Sequence, residues 1–353
     1  MSNRIKFIVV VMLATLCISC NRDGPLLVET PIGKVSEKLS QISPVLMDKN
    51  DVVGFSLGLV RDNEVVLVKT FGYADLEEER KITRETVFKA ASLGKPVFAY
   101  VVLALSKQGK IDLDKPLYEY DGSLLVENDP RSKEITARMV LSHTTGVPNY
   151  GKEPEPIFWG NPGEQFEYSG HGFMYLQHVI ESITNKGLDQ LASELVFTPL
   201  GMDSSSFSWR ESYRGVISSS YQLDKEKHKV KHEWHEPYSA WSLYTTLDDY
   251  SKFIIHTLNT STTPGSVAAI SIKPEVAVAK GVEWGLGWGL QTTEPNPSFW
   301  HWGSMEGFRN YVVGYPKERT AVIVFANSRK SFKMVDTIMA KSLGGSYPSY
   351  DWF

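Results

Sequence analysis

The chain has 353 residues, 42% of them hydrophobic and 22% charged, which is an ordinary globular composition with room for one large domain or two smaller ones. Its net charge of -4 provides no broad attraction for phosphates, which excludes nucleic acid as an expected partner. Small molecules or peptides remain as substrates.

The first twenty residues, MSNRIKFIVVVMLATLCISC, carry Arg4 and Lys6, then an uncharged run over residues 7–18, then small residues. This pattern predicts a signal peptide over 1–20, and the run is too short to span a hydrocarbon core of ~30 Å. CISC followed by Asn21 resembles a bacterial lipoprotein signal, in which Cys20 would be lipidated and become the new N-terminus. The expectation is an exported protein of the bacterial cell envelope, facing the periplasm and held to a membrane by lipid on Cys20; the alternative is a soluble export product. Removal of the segment before Cys20 takes Cys17 with it and leaves no disulfide and no cysteine metal site.

Residues 52–72, VVGFSLGLVRDNEVVLVKTFG, read as two strands around an Asp62-Asn63 turn. This stretch contains GFSLG, a G-x-S-x-G match with Ser56 as nucleophile, but a nucleophile elbow needs a strand, a sharp turn and then a helix. Ser56 has strand on both sides. It alternates with Phe55 and Leu57 and shares a small-residue face with Gly54 and Gly58, a face suited to close helix packing.

From Ser92 to about Leu258 the pattern is mainly helical, with segments near 92–107, 135–143, 168–185, 187–195 and 246–258. In SLGKP, Pro96 is tolerated only in a first helical turn, so a helix begins close to Ser92. That places the Ser92 hydroxyl at the positive end of a helix dipole, with the Lys95 amine one turn on. The competing reading is a helix cap with a surface lysine. Tyr168 and Ser169 stand at another predicted helix start, and His143 in VLSHTTG reads as a structural histidine at a helix end.

DKEKHKVKHEWHEP offers His228, His232 and His235 at spacings of four and three, a pattern that on a helix can face one metal. Its high charge and flanking loop signals favour a solvated insertion, so no metal is expected. Strands return with GLGWGLQTT, RNYVVGYP and TAVIVFANS, and SFKMVDTIMAKSLGG closes as a helix ending in glycine. His301, Trp302 and Gly303 fall on a strand edge before a glycine-bearing turn. Tyr150, Trp241 and Trp302 are candidate cleft aromatics, and Arg309 is a candidate partner for a substrate carboxylate.

A serine, a lysine, a tyrosine and a late basic residue followed by glycine, in this order, resemble the serine beta-lactamase and penicillin-binding protein superfamily on its class C and esterase side. LSHTTGVPNY, VFTPLGMDSSSF, SLYTTLDDYSKF and EWGLGWGL extend the resemblance over residues 30 to 345. It implies an α+β, beta-lactamase/transpeptidase-like fold, an antiparallel sheet flanked by terminal helices with an inserted helical region. The catalytic domain would cover 21–345, with a sheet half at about 30–91 and 275–345, a helical half at about 92–274, and a tail over 346–353. The resemblance also implies Ser92 as acylated nucleophile, Lys95 and Tyr168 as acid/base groups, and the backbone N–H groups of Ser92 and Ser304 as oxyanion hole. His301 would take the place of the family's lysine, with Trp302, Gly303, Arg309 and Tyr150 near the substrate.

Two departures bear on substrate. Gly170 stands where such beta-lactamases carry an asparagine that meets the substrate's acylamino group. His301 replaces a permanent charge with a group of unperturbed pKa ~6.5, so its charge is expected to vary with pH. Both point toward an esterase, a D-peptidase or another amide hydrolase rather than an efficient beta-lactamase. No cofactor is implied. The competing readings are a non-catalytic envelope-binding protein that keeps the cleft, and a metal-dependent hydrolase using the histidine cluster.

Overall fold

The computed structural model describes residues 25–149, 155–228, 233–292, 296–345, 347 and 349–350. Cys17, Cys20, Tyr150 and His232 lie outside them. Among the described residues no helix is long and apolar enough to cross a membrane.

The Asp62-Asn63 turn forms as expected. Both residues adopt positive φ (50° and 63°), the twist that joins two antiparallel strands tightly. It links β1 (Gly54–Arg61) to β2 (Glu64–Asp75), and β3 (Arg80–Lys81) follows at the sheet edge. The remaining strands come late in the chain: β6 (Val276–Ala279), β7 (Val282–Trp284), β8 (Gly289–Gln291), β9 (Ser298–Met305), β10 (Phe308–Tyr315) and β11 (Thr320–Ala326). The nine-stranded sheet runs β3-β2-β1-β11-β10-β9-β8-β7-β6 and is antiparallel throughout, so the first hairpin joins the late strands through β1 and β11. A separate pair, β4 (Phe88–Ala91) and β5 (Leu243–Thr245), brackets the helical region.

Both faces of the sheet are covered. On one lie α1 (Ile32–Lys49) and the closing helix α5 (Phe332–Ser342), which pack against each other. On the other lies the helical region, with α2 (Gly94–Lys107), α3 (Gly170–Thr184) and α4 (Leu247–Ser261) as its main elements. Strand β11 is therefore buried along its whole length and apolar from Ala321 to Ala326. Val322, Val324 and Ala326 face α1 and α5, whereas Ala321, Ile323 and Phe325 face the helical region. The small-residue face of β1 does what its composition predicts: a Cβ on Gly58 would lie 3.4 Å from both Leu247 and Ser251 of α4. Ser56 is fully buried in mid-strand, paired with Thr70 and Phe325, which removes it from consideration as a nucleophile.

Phe325 ties the layers together, stacking on Phe88 of β4 at 5.5 Å and meeting Tyr250 of α4 edge-on at 5.8 Å. Phe325→Ala is expected to lower the unfolding free energy by about 3–5 kcal/mol. A fall in the urea midpoint reads this out, and a loss below about 1 kcal/mol would show that the sheet and the helical region are not joined through this ring.

Candidate active site

The nucleophile candidate is placed by a short strand and a strained turn. Strand β4 ends at Ala91, whose φ of 53° is unusual for a residue with a side chain, and the chain then turns through Ser92 and Leu93 into α2. The helix starts at Gly94, so Pro96 falls in its first turn and Ser92 sits in the turn that leads into it. The Lys95 N–H donates to the Ser92 carbonyl at 3.0 Å and fixes that turn.

Lys95 folds back onto the serine. Its Nζ lies 3.1 Å from Ser92 Oγ and donates to the Ala240 carbonyl at 2.7 Å. The side chain is only 2% exposed, and burial pulls its pKa from 10.5 down to about 7. A neutral amine in this position donates to Ala240 and offers its lone pair to the Ser92 hydroxyl. The surface-lysine reading is therefore excluded.

Tyr168 precedes α3, whose first turn is capped by the Ser169 hydroxyl accepting from the Gly172 N–H at 3.1 Å. The Lys95 Nζ stands 4.8 Å from the centroid of the tyrosine ring. That ring has His143 at 4.3 Å and Trp302 at 5.0 Å as tilted neighbours. His143 follows the short helix Ala137–Leu141 in a left-handed conformation, φ 56°, and is fully buried. Its Nδ1 accepts from the Ser169 N–H at 3.0 Å, so the other nitrogen carries the proton. Burial first, then the nearness of Lys95 and of the His301 ring, holds its pKa well below 6.5. A neutral histidine that braces the tyrosine is the structural role its position suggested.

His301 departs from expectation. Its Nδ1 lies 2.7 Å from the Trp302 carbonyl, which can only accept, so Nδ1 is the protonated nitrogen and Nε2 is an acceptor. Full burial, with the nearby Lys95 charge, lowers its pKa to about 3. The imidazole is neutral across the working range and does not supply the pH-dependent charge its residue type suggests. Its ring centroid is 6.3 Å from that of Tyr168.

Ser304 lies beyond the point where β9 loses a neighbour. Strand β8 pairs with β9 only from Ser298 to Trp300, so the edge from His301 onward opens toward Ser92. Gly303 makes the close approach possible: a Cβ there would sit 2.1 Å from the Ala90 carbonyl. Ser92, Lys95 and Ser304 line a cavity of about 470 Å³, with Ala240, Asn149 and Met305. Trp234, Trp241 and Glu306 complete its walls. Trp241 is stacked on Tyr238 at 4.4 Å and meets Trp234 edge-on at 4.8 Å.

Beneath the wall lies a buried cation. Lys89 of β4 is fully buried, with its Nζ 3.0 Å from Glu306 and 3.4 Å from the Trp234 ring centroid. Burial lowers its pKa to about 8, against the Glu306 carboxylate, which raises it. Lys89 thus joins the strand before Ser92 to the β9–β10 turn and to the Trp234 segment.

Trp302 and Gly303 support the site from behind and do not line the cavity. Arg309 is not brought to it: the alternation of β10 places it with Tyr311 and Val313 on the α5 side. Its guanidinium donates to the Phe308 carbonyl at 2.7 Å and lies 5.8 Å from the Phe332 ring. Burial lowers its pKa to about 10. Tyr150 is outside the described residues, as are Cys20 and His232. Among the described residues no three His, Cys, Asp or Glu side chains converge as for a metal ion. The charged run read as a solvated insertion delivers Trp234 to the cavity wall. Sequence reasoning also passed over Asn149, Glu306, Lys89 and the Ala240 carbonyl.

A serine bonded to a buried lysine, beside a tyrosine, stands at the junction of an antiparallel sheet with a helical region in a fold of the beta-lactamase/transpeptidase type. The Beta-lactamase family model matches residues 39–343, and the chain belongs to that family. Protein flp of Staphylococcus aureus (strain MRSA252) is 22% identical over 311 residues, covering 81% of this chain and 62% of the relative. The chain thus spans about three fifths of that relative's length. The putative penicillin-binding protein PbpX of Bacillus subtilis (strain 168) is 23% identical over 224 residues, covering 57% of this chain and 54% of that protein.

Solved structures share the fold. The octameric penicillin-binding protein homologue from Pyrococcus abyssi superposes with a TM-score of 0.75 at 22% identity, over 89% of this chain and 78% of that one. A class C beta-lactamase gives 0.77 at 16% identity, over 88% and 95%. The beta-lactamase/D-alanine carboxypeptidase from Pseudomonas syringae gives 0.76 at 13% identity, over 87% and 98%.

Gly303→Ala is expected to push β9 away from Ala90 and reduce acylation of Ser92 by about 100-fold or more while the protein stays folded, as loss of one oxyanion donor does. Circular dichroism with the rate of labelling by a fluorophosphonate checks this; wild-type labelling kinetics would show that β9 needs no such approach.

Proposed function

We propose that the protein is an exported serine hydrolase, lipid-anchored through Cys20, that acts on an ester, amide or D-amino-acid peptide through an acyl-enzyme on Ser92. The observation that carries this reading is the bond between Ser92 Oγ and a buried Lys95 whose pKa is about 7. In that state Lys95 takes the hydroxyl proton as Oγ attacks the acyl carbon. The backbone N–H groups of Ser92 and Ser304 receive the developing oxyanion. Tyr168, beside Lys95, passes the proton to the leaving group, and water then hydrolyses the ester with the same residues acting in reverse.

The electrostatics support a substrate without a free carboxylate next to the scissile bond. Among the described residues lining the cavity, the charged types are Lys95 and Glu306, and Glu306 is already paired with Lys89. His301 is neutral and Arg309 faces away. A simple ester or internal amide suits these walls better than a beta-lactam or a carboxypeptidase substrate. The Pseudomonas syringae neighbour, named for both of the latter activities, supports the shared acyl-transfer chemistry.

Intact-mass analysis after exposure to a fluorophosphonate is expected to show one adduct on wild type and none on Ser92→Ala. A parallel incubation with penicillin is expected to give little or no adduct. Absence of any adduct on folded wild type would favour a non-catalytic envelope-binding protein.

The pH dependence follows from Lys95. Below pH ~7 the amine is protonated and cannot accept the serine proton, so kcat/KM is expected to fall toward tenfold per unit on the acid side. Removing charge from position 301 changes nothing there, because His301 is already neutral. His301→Lys, by adding a cation near Lys95, is expected to move the acid limb to lower pH. A profile identical to wild type would refute the assignment of that limb to Lys95.

A further inference from the structure

Lys89 stands three residues before Ser92 and is fully buried. Burying an ammonium is costly, and an apolar side chain of similar length would fill the same space without that cost. A charge kept in such a place is accounted for by what it holds. The strand that carries it is clasped to the β9–β10 hairpin at two levels. The Asn310 side chain of β10 donates to the Lys89 carbonyl at 3.0 Å, and the Lys89 ammonium bonds Glu306 of the hairpin turn, also at 3.0 Å.

The turn consists of Glu306 and Gly307, both with positive φ (45° and 93°), a geometry that glycine, asparagine and aspartate adopt at less cost than glutamate. A glutamate at its first position is explained by the carboxylate it brings to Lys89. Ser304, whose N–H is assigned to the oxyanion hole, lies two residues before that glutamate, and both line the cavity beside Ser92. Trp234, another wall of the cavity, has its ring centroid 3.4 Å from the same ammonium.

The titratable groups around Lys89 leave Glu306 as its counter-charge. Tyr244 pairs with Lys89 across the β4–β5 ladder, and burial keeps its phenol neutral. Glu233, next to Trp234, is bonded to Arg214. Burial brings the Lys89 pKa down to about 8, with Glu306 opposing the shift. As pH rises through that value the ammonium becomes an amine, and its pull on the turn weakens.

We propose that Lys89 is a positioning residue for acyl transfer: its ion pair with Glu306 sets the β9–β10 turn so that the Ser304 N–H stands at the oxyanion position, and loss of either charge slows acylation of Ser92. This rests on the reading of Ser92 as the nucleophile.

The test is the rate of fluorophosphonate labelling of Ser92 from about pH 6 to 10, with circular dichroism on each preparation. It compares wild type, Lys89→Met, Lys89→Arg, Glu306→Gln and the double variant Lys89→Met/Glu306→Gln. Each of Lys89→Met and Glu306→Gln is expected to label about 10- to 100-fold more slowly at neutral pH, and the double variant no more slowly than either. Wild type is expected to slow above pH ~8. Lys89→Arg keeps its charge there, so it is expected to label within about threefold of wild type at neutral pH and to lack that decline.

Wild-type rates in folded Lys89→Met, or single effects that multiply in the double variant, overturn the proposal. The first outcome shows a lysine that serves stability alone, and the second a Glu306 that acts by its own contact with the probe. Where Lys89→Met does not fold, the pH profiles decide: a wild-type rate that stays level above pH ~8, or a decline shared by Lys89→Arg, overturns the proposal. Wild type that takes no label removes the hydrolase reading and this proposal with it, whereas labelled wild type with any of the other failures removes only the role of Lys89.

Discussion

The site depends on keeping Lys95 dry. A lysine of ordinary pKa keeps its proton at neutral pH, and what brings Lys95 down to about 7 is the removal of water from around its amine. The enclosing groups come from distant parts of the chain: the carbonyl of Ala240, the ring of Tyr168 and the ring of Phe173, 5.6 Å away. A carbonyl is an effective partner here because it satisfies one amine hydrogen whether the group is charged or neutral. A carboxylate in its place would favour the ammonium and abolish the base.

The same requirement explains the two buried histidines. Two permanent cations beside Lys95 would repel one another in a medium of low polarizability, and two carboxylates would restore its charge. Neutral imidazoles do neither. His143 and His301 are each fixed in one tautomer by a backbone partner, the Ser169 N–H in the first case and the Trp302 carbonyl in the second. They fill space around Tyr168 with rigid rings and contribute no net charge. Their value is in holding the phenol still next to the amine, where an error of about 1 Å in position costs far more than any single contact.

What could be read from the sequence follows the range of the interactions involved. Ser92 and Lys95 are three residues apart on one turn, and Pro96 marks where that turn must begin, so their proximity is a local property. The β1–β2 hairpin is legible for the same reason, since Asp62 and Asn63 alone determine its geometry. The position of β1 beside β11 is not local, and neither is the Lys89–Glu306 pair, separated by 217 residues. Trp234 was hidden by its neighbours: a charged run reads as solvated, and nothing within it reveals that a buried lysine waits across the fold for that ring. The Ala240 carbonyl has no signature at all, because every residue has a carbonyl. Residue type also misled at His301, where burial overrides the ordinary pKa of the side chain.

Lys89 and Lys95 show how one strand and the turn after it assign opposite duties to the same residue type. Both are buried, and burial lowers both, yet Lys89 faces a carboxylate that offsets part of that loss, whereas Lys95 faces only neutral groups. The first therefore keeps more of its charge and serves as an anchor, drawing the Glu306 turn and Trp234 toward β4. The second holds its proton less tightly and is the base of the proposed reaction. Since Ser304 lies two residues before Glu306 on the same hairpin, the anchor also fixes the strand edge that faces Ser92. The geometry around Ser92 and the walls of the cavity are in this way tied to a single short segment, residues 88 to 95, and the difference between its two lysines comes from one carboxylate.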